Sequence, residues 1–132
     1  MQPALPHLRV VLPNAPIRPI TVNGGALMPG WYDLAAIGGG RLGVAEDADG
    51  IEASAASLGE LLDGETEQLG GDSRRLVVGG FSQGGAMALR MALAWPEPLA
   101  AAISASAYVV RGEALVNGEL EANANRQLPV LV

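Results

Sequence analysis

The sequence predicts an α/β fold in which helices flank a mainly parallel β-sheet. Short runs of aliphatic residues, each the length of a buried strand, alternate along the chain with segments long enough to form helices. A second indication is the pentapeptide Gly-Phe-Ser-Gln-Gly at 80–84, which follows the apolar run 76–78 and precedes a helix-forming stretch from Ala86. We expect residues 1–132 to form a single domain.

The first half of the chain contains one predicted strand and one predicted helix. Residues 8–12 (Leu-Arg-Val-Val-Leu) are expected to form a short buried strand. Prolines and glycine pairs punctuate residues 13–50, which predicts a long irregular connection of the kind that often carries function. Asp49 is positioned to cap a helix, with Glu52 three residues later, and apolar residues then recur at helical spacing up to Leu69. This amphipathic helix is expected to cover the sheet.

The second half of the chain supplies the remaining strands. Residues 75–78 are expected to enter a strand that leads into the serine pentapeptide, and a helix over 83–95 follows until Pro96. Residues 100–104 and 128–132 are predicted to be a third and a fourth strand. Because helix-length segments separate these strands, we expect parallel pairing.

Strand, sharp turn and helix surround Ser82, which makes it a candidate nucleophile. Glycines two residues before and two after it, at 80 and 84, would remove Cβ atoms that collide with the strand and the helix, and Gly79 and Gly85 extend this clearance. The free N–H groups of the helix would point to where an acyl-transfer oxyanion forms. The alternative is a glycine-rich turn whose serine merely caps the helix.

Composition excludes several kinds of site and partner. The net charge is −6 and all eight basic residues are scattered arginines, so nucleic acid is not expected as a partner. The absence of cysteine and the single histidine exclude disulfides, thiolate zinc sites and histidine-rich metal sites, and we expect no cofactor. No apolar run approaches the length of a membrane span and no leader is recognisable, so a cytoplasmic protein is expected.

Four segments, in order along the chain, resemble successive signatures of the phospholipase/carboxylesterase family. They are Pro-Asn-Ala-Pro-Ile-Arg-Pro at 13–19, Met-Pro-Gly-Trp-Tyr-Asp at 28–33, Asp-Gly-Ile at 49–51, and Gly-Gly-Phe-Ser-Gln-Gly-Gly-Ala-Met-Ala-Leu at 79–89. That family includes the acyl-protein thioesterases and small bacterial carboxylesterases with the α/β-hydrolase fold. The resemblance implies a partial α/β-hydrolase and a serine esterase that forms an acyl-enzyme from an acyl ester or thioester.

The resemblance also implies roles for individual residues. Ser82 matches the family nucleophile, and Gln83 matches the residue whose backbone N–H supplies one oxyanion donor. The residues that match the loop bordering the acyl-binding cleft are Met28, Trp31 and Tyr32. The alternative for the two aromatic rings is that they pack the loop against the sheet. Asp33 is expected to accept hydrogen bonds from loop N–H groups rather than to act as a catalytic acid.

The chain departs from the family pattern at both ends. Family members have an earlier strand that ends in His-Gly-x-Gly and supplies the second oxyanion donor. They place the triad aspartate just after the strand at 128–132, and the histidine later still. We therefore expect a truncated domain without the triad Asp and His. His7 would enter the 8–12 strand at the sheet end opposite the serine, on the order of 16 Å away, which is too far for a general base.

Two functions from different classes stay open: a serine carboxylic ester hydrolase, and a catalytically impaired remnant that acts as a self-associating or interaction module. By resemblance, the absent strand would lie between residues 8–12 and 75–80, so two strand edges would face a gap. Either these strands pair directly or a second copy supplies the partner. A homo-oligomer is expected in both cases.

Overall fold

The structure is a computed structural model that describes residues 6–36, 45–114 and 124–132. Its helices and strands follow the order β1 (Ile17–Ile20), β2 (Ala26–Pro29), α1 (Ala48–Gln68), β3 (Val77–Phe81), α2 (Gln83–Ala94), β4 (Ala101–Ala105), α3 (Gly112–Ala114) and β5 (Val130–Leu131). In this part of the chain no helix has the length and apolar character needed to cross a membrane.

Strands β3, β4 and β5 form a parallel sheet with β4 in the middle. Val77 lies opposite Ala101 and Phe81 opposite Ala105, so β3 and β4 end at the same edge. Helix α2 connects these two strands and packs against both. This is the predicted parallel βαβ unit, and the predicted strands near 75–78, 100–104 and 128–132 and the helix over 83–95 are confirmed.

The buried side chains fall into two clusters that both include residues of α2. One cluster contains Tyr32, Ile51, Ala86, Met87 and Val110. The other contains Met91, Ala92, Trp95, Leu99 and Ala102. Ala55 and Leu58 of α1 pack against both clusters. The apolar stripe of α1 therefore covers α2, which itself lies on the sheet.

Helix α1 begins earlier than predicted, because Asp47 and not Asp49 is its N-cap residue. The Asp47 carboxylate accepts a hydrogen bond from the N–H of Gly50 at 3.0 Å, while Asp49 lies in the first turn. The predicted capping box with Glu52 was wrong. Instead, both carboxylate oxygens of Glu52 accept hydrogen bonds from Nη2 of the buried Arg90 on α2, each at 3.0 Å.

The irregular connection predicted at 13–50 contains an antiparallel hairpin that the sequence analysis missed. Strands β1 and β2 pair from Ile17 opposite Pro29 to Ile20 opposite Ala26. A short 3₁₀ turn and then Gly24 and Gly25, with φ of 66° and 78°, reverse the chain. Prolines disfavour a central strand because they lack an N–H, but a two-stranded ribbon tolerates them on its outward side.

The predicted buried strand at 8–12 was wrong. This segment has no strand structure and is largely exposed, with Leu12 at 84%. It does not pair with β3, which is an edge strand within the described residues. Instead, a cavity of about 390 Å³ lies between residues 8–13, the β3 edge and the two long helices. A strand needs a neighbour for its backbone groups, and here the cavity separates the two segments.

Candidate active site

Ser82 occupies a sharp turn between β3 and α2. Its backbone has φ 52° and ψ −122°, a region that a residue with a Cβ atom rarely adopts. The turn is held by a hydrogen bond from the N–H of Ser82 to the carbonyl of Ala105 on β4, at 2.9 Å. The side chain is exposed and, although Ser82 is the N-cap residue, makes no capping hydrogen bond. Its hydroxyl is therefore not used as a helix cap.

Two glycines allow β3 and α2 to approach closely around this turn. A Cβ atom on Gly80 would lie 2.2 Å from the carbonyl carbon of Gly84, and one on Gly85 would lie 2.8 Å from the Cβ of Ala107. At Gly84 the nearest atom would be Trp31 Nε1, at 4.0 Å. The clearance predicted for residues 80 and 84 is thus provided by Gly80 and Gly85, whereas Gly84 has room for a side chain.

The start of α2 presents backbone donors beside the serine. The first intrahelical hydrogen bond runs from the N–H of Ala86 to the carbonyl of Ser82, at 3.0 Å. The amides of Gln83 and Gly84 precede that bond, so the helix ladder does not use them. They belong to the positive end of the helix dipole, where developing negative charge is stabilised. This is the position expected of the backbone donor at Gln83.

The Gln83 side chain contacts the loop that follows β2. Its Oε1 accepts a hydrogen bond from the N–H of Trp31 at 3.0 Å, and its Nε2 donates to the carbonyl of Tyr32 at 2.8 Å. The hydroxyl of Ser54 on α1 donates to the carbonyl of Trp31. The N–H of Asp33 donates to the Asp47 carboxylate at 2.7 Å. Side chains from three places in the fold therefore hold three consecutive residues.

The three residues predicted to border an acyl-binding cleft have different environments. Trp31 is half-buried and lies near Gly84 at the start of α2. Met28 is half-buried on β2, where its sulfur accepts a hydrogen bond from Asn23. Tyr32 is only 2% exposed and belongs to the core. Tyr32 thus packs the loop into the core, as in the packing alternative, but against α1 and α2 rather than against the sheet. Any effect of Tyr32 on a substrate would act through the loop.

Burial also governs the chemistry of Tyr32. It raises the pKa of the phenol well above its usual range, and the hydrogen bond from the Tyr32 hydroxyl to that of Tyr108, at 3.3 Å, raises the pKa further. The phenol is therefore neutral near pH 7. Tyr32 has no role as an anion in this arrangement.

Asp33 accepts hydrogen bonds at the hairpin, as predicted. Oδ1 accepts from the N–H of Thr21 at 2.7 Å and Oδ2 from the Thr21 hydroxyl at 2.5 Å. These bonds, the hydroxyl first, hold the pKa of Asp33 below its ordinary value because they favour the charged form. The carboxylate is thus engaged in holding the hairpin to its loop.

Several residues that shape this region were not predicted from the sequence. Asp47 and Ser54 anchor the loop, but nothing local distinguishes them from other polar residues near a helix start. Ser106 follows β4 as Ser82 follows β3, and it too has a positive φ of 51°. A polar residue directly after a parallel strand is a signal that could have identified Ser106.

The structure places His7 in an exposed turn. The predicted separation from Ser82 assumed a strand at 8–12 that is not formed, so the exclusion of His7 as a base stays a prediction. Among residues 6–36, 45–114 and 124–132, no group of three or more His, Cys, Asp or Glu side chains is arranged to hold a metal ion.

Comparison with known proteins identifies the family. A model of the Phospholipase/Carboxylesterase family matches residues 1–131. The chain belongs to this family. It is 43% identical over 115 residues to acyl-protein thioesterase 1 of Mycosarcoma maydis, covering 82% of this chain and 47% of that protein. It is 36% identical over 128 residues to acyl-protein thioesterase 1 of Gibberella zeae, covering 96% and 54%.

Two solved structures share the fold. The crystal structure of Zea mays acyl-protein thioesterase 2 matches with a TM-score of 0.71 and 30% identity, over 89% of this chain and 54% of that one. The Arabidopsis thaliana SOBER1 structure matches with a TM-score of 0.75 and 26% identity, over 85% and 52%. The predicted partial α/β-hydrolase is confirmed. The chain spans about half the length of the curated relatives it matches.

Proposed function

We propose that this chain is the central part of a serine carboxylic ester hydrolase that forms an acyl-enzyme on Ser82. The observation that carries the proposal is the exposed serine in a positive-φ turn, with its side chain free of a capping bond, at the start of α2. Backbone strain of this kind persists where the surrounding structure enforces it, and it clusters at active sites. The close approach at Gly80 and Gly85 enforces it here.

The reaction would proceed in two steps. Ser82 Oγ attacks the acyl carbonyl and passes its proton to water, and the backbone N–H of Gln83 donates a hydrogen bond to the oxyanion that forms. Collapse of this intermediate breaks the ester or thioester bond, and the leaving group takes up a proton from water and departs as the alcohol or thiol. Water then attacks the acyl-enzyme, releases the carboxylic acid and restores the serine.

The substrate class that we propose is acyl esters and thioesters. Two relatives are named acyl-protein thioesterases, which supports a thioester as one substrate. Trp31, which lies near the start of α2, and Met28 on β2 are half-buried and would contribute apolar surface for an acyl chain. No cofactor enters this chemistry, because the nucleophile and the oxyanion donor are protein groups.

Covalent labelling tests the proposal directly. A fluorophosphonate should label the parent stoichiometrically at Ser82, because phosphonylation requires an activated serine and not merely an exposed one. Ser82→Ala should abolish labelling. Ser57→Ala is the matched control, since Ser57 is an exposed serine on α1, and it should label like the parent. A parent that does not label, or that labels elsewhere, would contradict the proposal.

The second function that we propose is self-association through the open edge of β3. Within the described residues this strand pairs on one side only, and the apolar segment 8–13 faces it across the cavity. Unpaired backbone groups beside apolar side chains are a template for a strand of another chain. This supports a homo-oligomer in which a second copy supplies that strand, whether or not Ser82 is active.

A further inference from the structure

We propose that the Gln83 side chain is a positioning residue that ties the loop at 31–33 to the nucleophile turn. The inference rests on the proposed hydrolase for its catalytic consequence, whereas the tie itself is a structural claim. Gln83 is the residue after Ser82, and its backbone amide is the proposed oxyanion donor. Gln83 alone therefore connects the loop at 31–33, through its side chain, to the turn that holds Ser82.

The chemistry of the two loop partners defines the orientation of the side-chain amide of Gln83. The backbone N–H of Trp31 can only donate, so it contacts the carbonyl oxygen Oε1, at 3.0 Å. The backbone carbonyl of Tyr32 can only accept, so it contacts the amide nitrogen Nε2, at 2.8 Å. A glutamine matches this donor and acceptor pair, whereas a carboxylate lacks the donor and an aliphatic side chain lacks both groups.

The loop depends on such side-chain bonds because it lies outside the sheets. The carbonyl of Trp31 is held by Ser54 and the N–H of Asp33 by Asp47. Ser54 belongs to α1 and Asp47 caps it, so these two anchors hold the loop to α1. Gln83 differs from them because it comes from α2 and from the nucleophile turn itself.

Trp31 connects this tie to the proposed site. Its indole reaches the first turn of α2, since a Cβ atom on Gly84 would lie 4.0 Å from Trp31 Nε1. The same side chain contributes to the wall of the cavity that Met87 and Leu58 also line. Loss of the Gln83 bonds would therefore loosen a half-buried aromatic side chain next to Ser82, while the strand and the helix that hold the serine stay intact.

A purely stabilising role for Gln83 makes a different prediction. If Gln83 only stabilised the fold, its replacement would lower the melting temperature and would reduce the amount of active protein, with KM unchanged. A positioning role changes how the acyl chain is bound. It should raise KM for an ester with a longer acyl chain, while kcat and the reaction of Ser82 with a small phosphonate change little.

The experiment uses the full chain with Gln83→Met, which removes both polar groups, and Gln83→Glu, which keeps the size and removes the donor. Gln127→Met is the matched control, because Gln127 is an exposed glutamine outside the site. Amide hydrogen exchange by NMR reports the Trp31 N–H. We expect its protection to fall about tenfold in Gln83→Met, and to be unchanged in Gln127→Met.

Kinetics supply the second readout. For p-nitrophenyl octanoate, we expect KM to rise about fivefold to tenfold in both Gln83 variants. In Gln83→Met, which adds no charge beside the oxyanion, kcat should stay within about twofold, as when an interaction that binds substrate and transition state equally is lost. For p-nitrophenyl acetate the change should be smaller. Should Gln83→Met fail to fold, the KM of Gln83→Glu decides the outcome, because the glutamate keeps the acceptor for the Trp31 N–H but loses the donor to the Tyr32 carbonyl.

Two results would overturn the inference: unchanged Trp31 protection in Gln83→Met, or a loss of activity that follows the melting temperature with KM constant. If the parent neither labels nor turns over at Ser82, the proposed hydrolase fails instead. Exchange at Trp31 then decides the structural tie independently, because that measurement needs no substrate.

Discussion

The carboxyl end and the outer edge of strand β3 offer a contrast between a constrained region and an open one. Just after its carboxyl end, the N–H of Ser82 donates a hydrogen bond to the carbonyl of Ala105 on β4. Gly80 and Gly85 allow the backbones of β3 and α2 to come into contact there. Along its outer edge, the same strand faces a cavity of about 390 Å³ and the exposed segment 8–12. One strand thus leads into a strained turn and also carries an edge that has no strand partner within the described residues.

This difference shows how the two regions are specified. The turn is built from residues close together in sequence, between β3 and α2, so its geometry follows once these two elements form. The edge requires a neighbour from far along the chain or from another chain. A strained turn can therefore be complete while the sheet around it is open, and each region can be tested alone.

The largest expected effect concerns chemistry at the constrained end. The family resemblance implies that the triad Asp and His do not act with Ser82 in this chain. On that expectation, the parent should hydrolyse p-nitrophenyl butyrate weakly, with an acceleration of roughly 10³ to 10⁴ over water. Ser82→Ala should bring the rate close to the uncatalysed background. His7→Ala should leave the weak rate unchanged.

Spectrophotometric rates for the parent and both variants under matched conditions provide the measurement. If Ser82→Ala keeps the parental rate, the serine has no catalytic role and the interaction module is favoured. If His7→Ala alone abolishes a strong rate, then His7 acts as the base, despite its exposed turn.

The next largest effect concerns the close approach that creates the turn. Gly80→Ala places a Cβ atom 2.2 Å from the backbone of Gly84, and backbone atoms cannot move aside cheaply. We expect a loss of about 3 kcal/mol or more in the free energy of unfolding. Urea titration followed by circular dichroism measures this.

The matched control for that prediction is Gly84→Ala. Among the described residues, and apart from the neighbouring backbone of α2 itself, no atom lies closer than 4.0 Å to the new Cβ atom. Alanine also favours a helix, so stability should change by less than about 1 kcal/mol. Equal losses in the two variants would show that the strand and helix are not in the contact described.

The open edge should control assembly. Val77 lies on β3 and is 53% exposed, so Val77→Lys places a charge on the edge that we propose for self-association. We expect the variant to shift the oligomer toward monomer by at least about tenfold in dissociation constant, or about 1.4 kcal/mol. Light scattering coupled to gel filtration measures the mass.

Val109→Lys is the control for the edge variant, because Val109 is 46% exposed and lies after β4. It should leave the mass of the parent unchanged. A parent that is a well-folded monomer at micromolar concentration would contradict the assembly proposal altogether.

The smallest effect is the acid sensitivity of the hairpin contact. The pKa of Asp33 is held below its ordinary value of 3.8 by Thr21, so the folded state binds this proton less readily than the unfolded state. The stabilisation is present above the ordinary pKa and is lost as pH falls through the folded pKa.

Comparison of the parent with Asp33→Asn isolates this contribution. Melting temperatures measured from about pH 7 to about pH 2.5 should show the parent more stable near neutrality, with the difference shrinking below about pH 4. A difference that is independent of pH would mean that the charge on Asp33 contributes nothing to the hairpin.

The sequence by itself determined the parallel sheet, helix α2 and the serine turn. These features depend on local patterns: aliphatic runs of strand length, helical spacing, and glycines on both sides of one serine. Even the exact role of the glycines needed the structure, since Gly85 rather than Gly84 relieves the contact opposite Gly80. Local sequence is enough to place the serine in a turn, but it does not show which neighbouring glycine is needed for the close contact.

Only the tertiary structure decided the cap of α1, the environment of residues 8–12 and the partners of Gln83. Asp47 and Asp49 are equivalent as local signals, and Asp47 is chosen because its carboxylate also binds the Asp33 N–H and Arg18. An aliphatic run predicts burial only where a neighbouring strand exists to pair with it. The side-chain amide of Gln83 forms hydrogen bonds with a loop about fifty residues earlier in the chain. Such contacts arise from packing between distant segments, which no local pattern encodes.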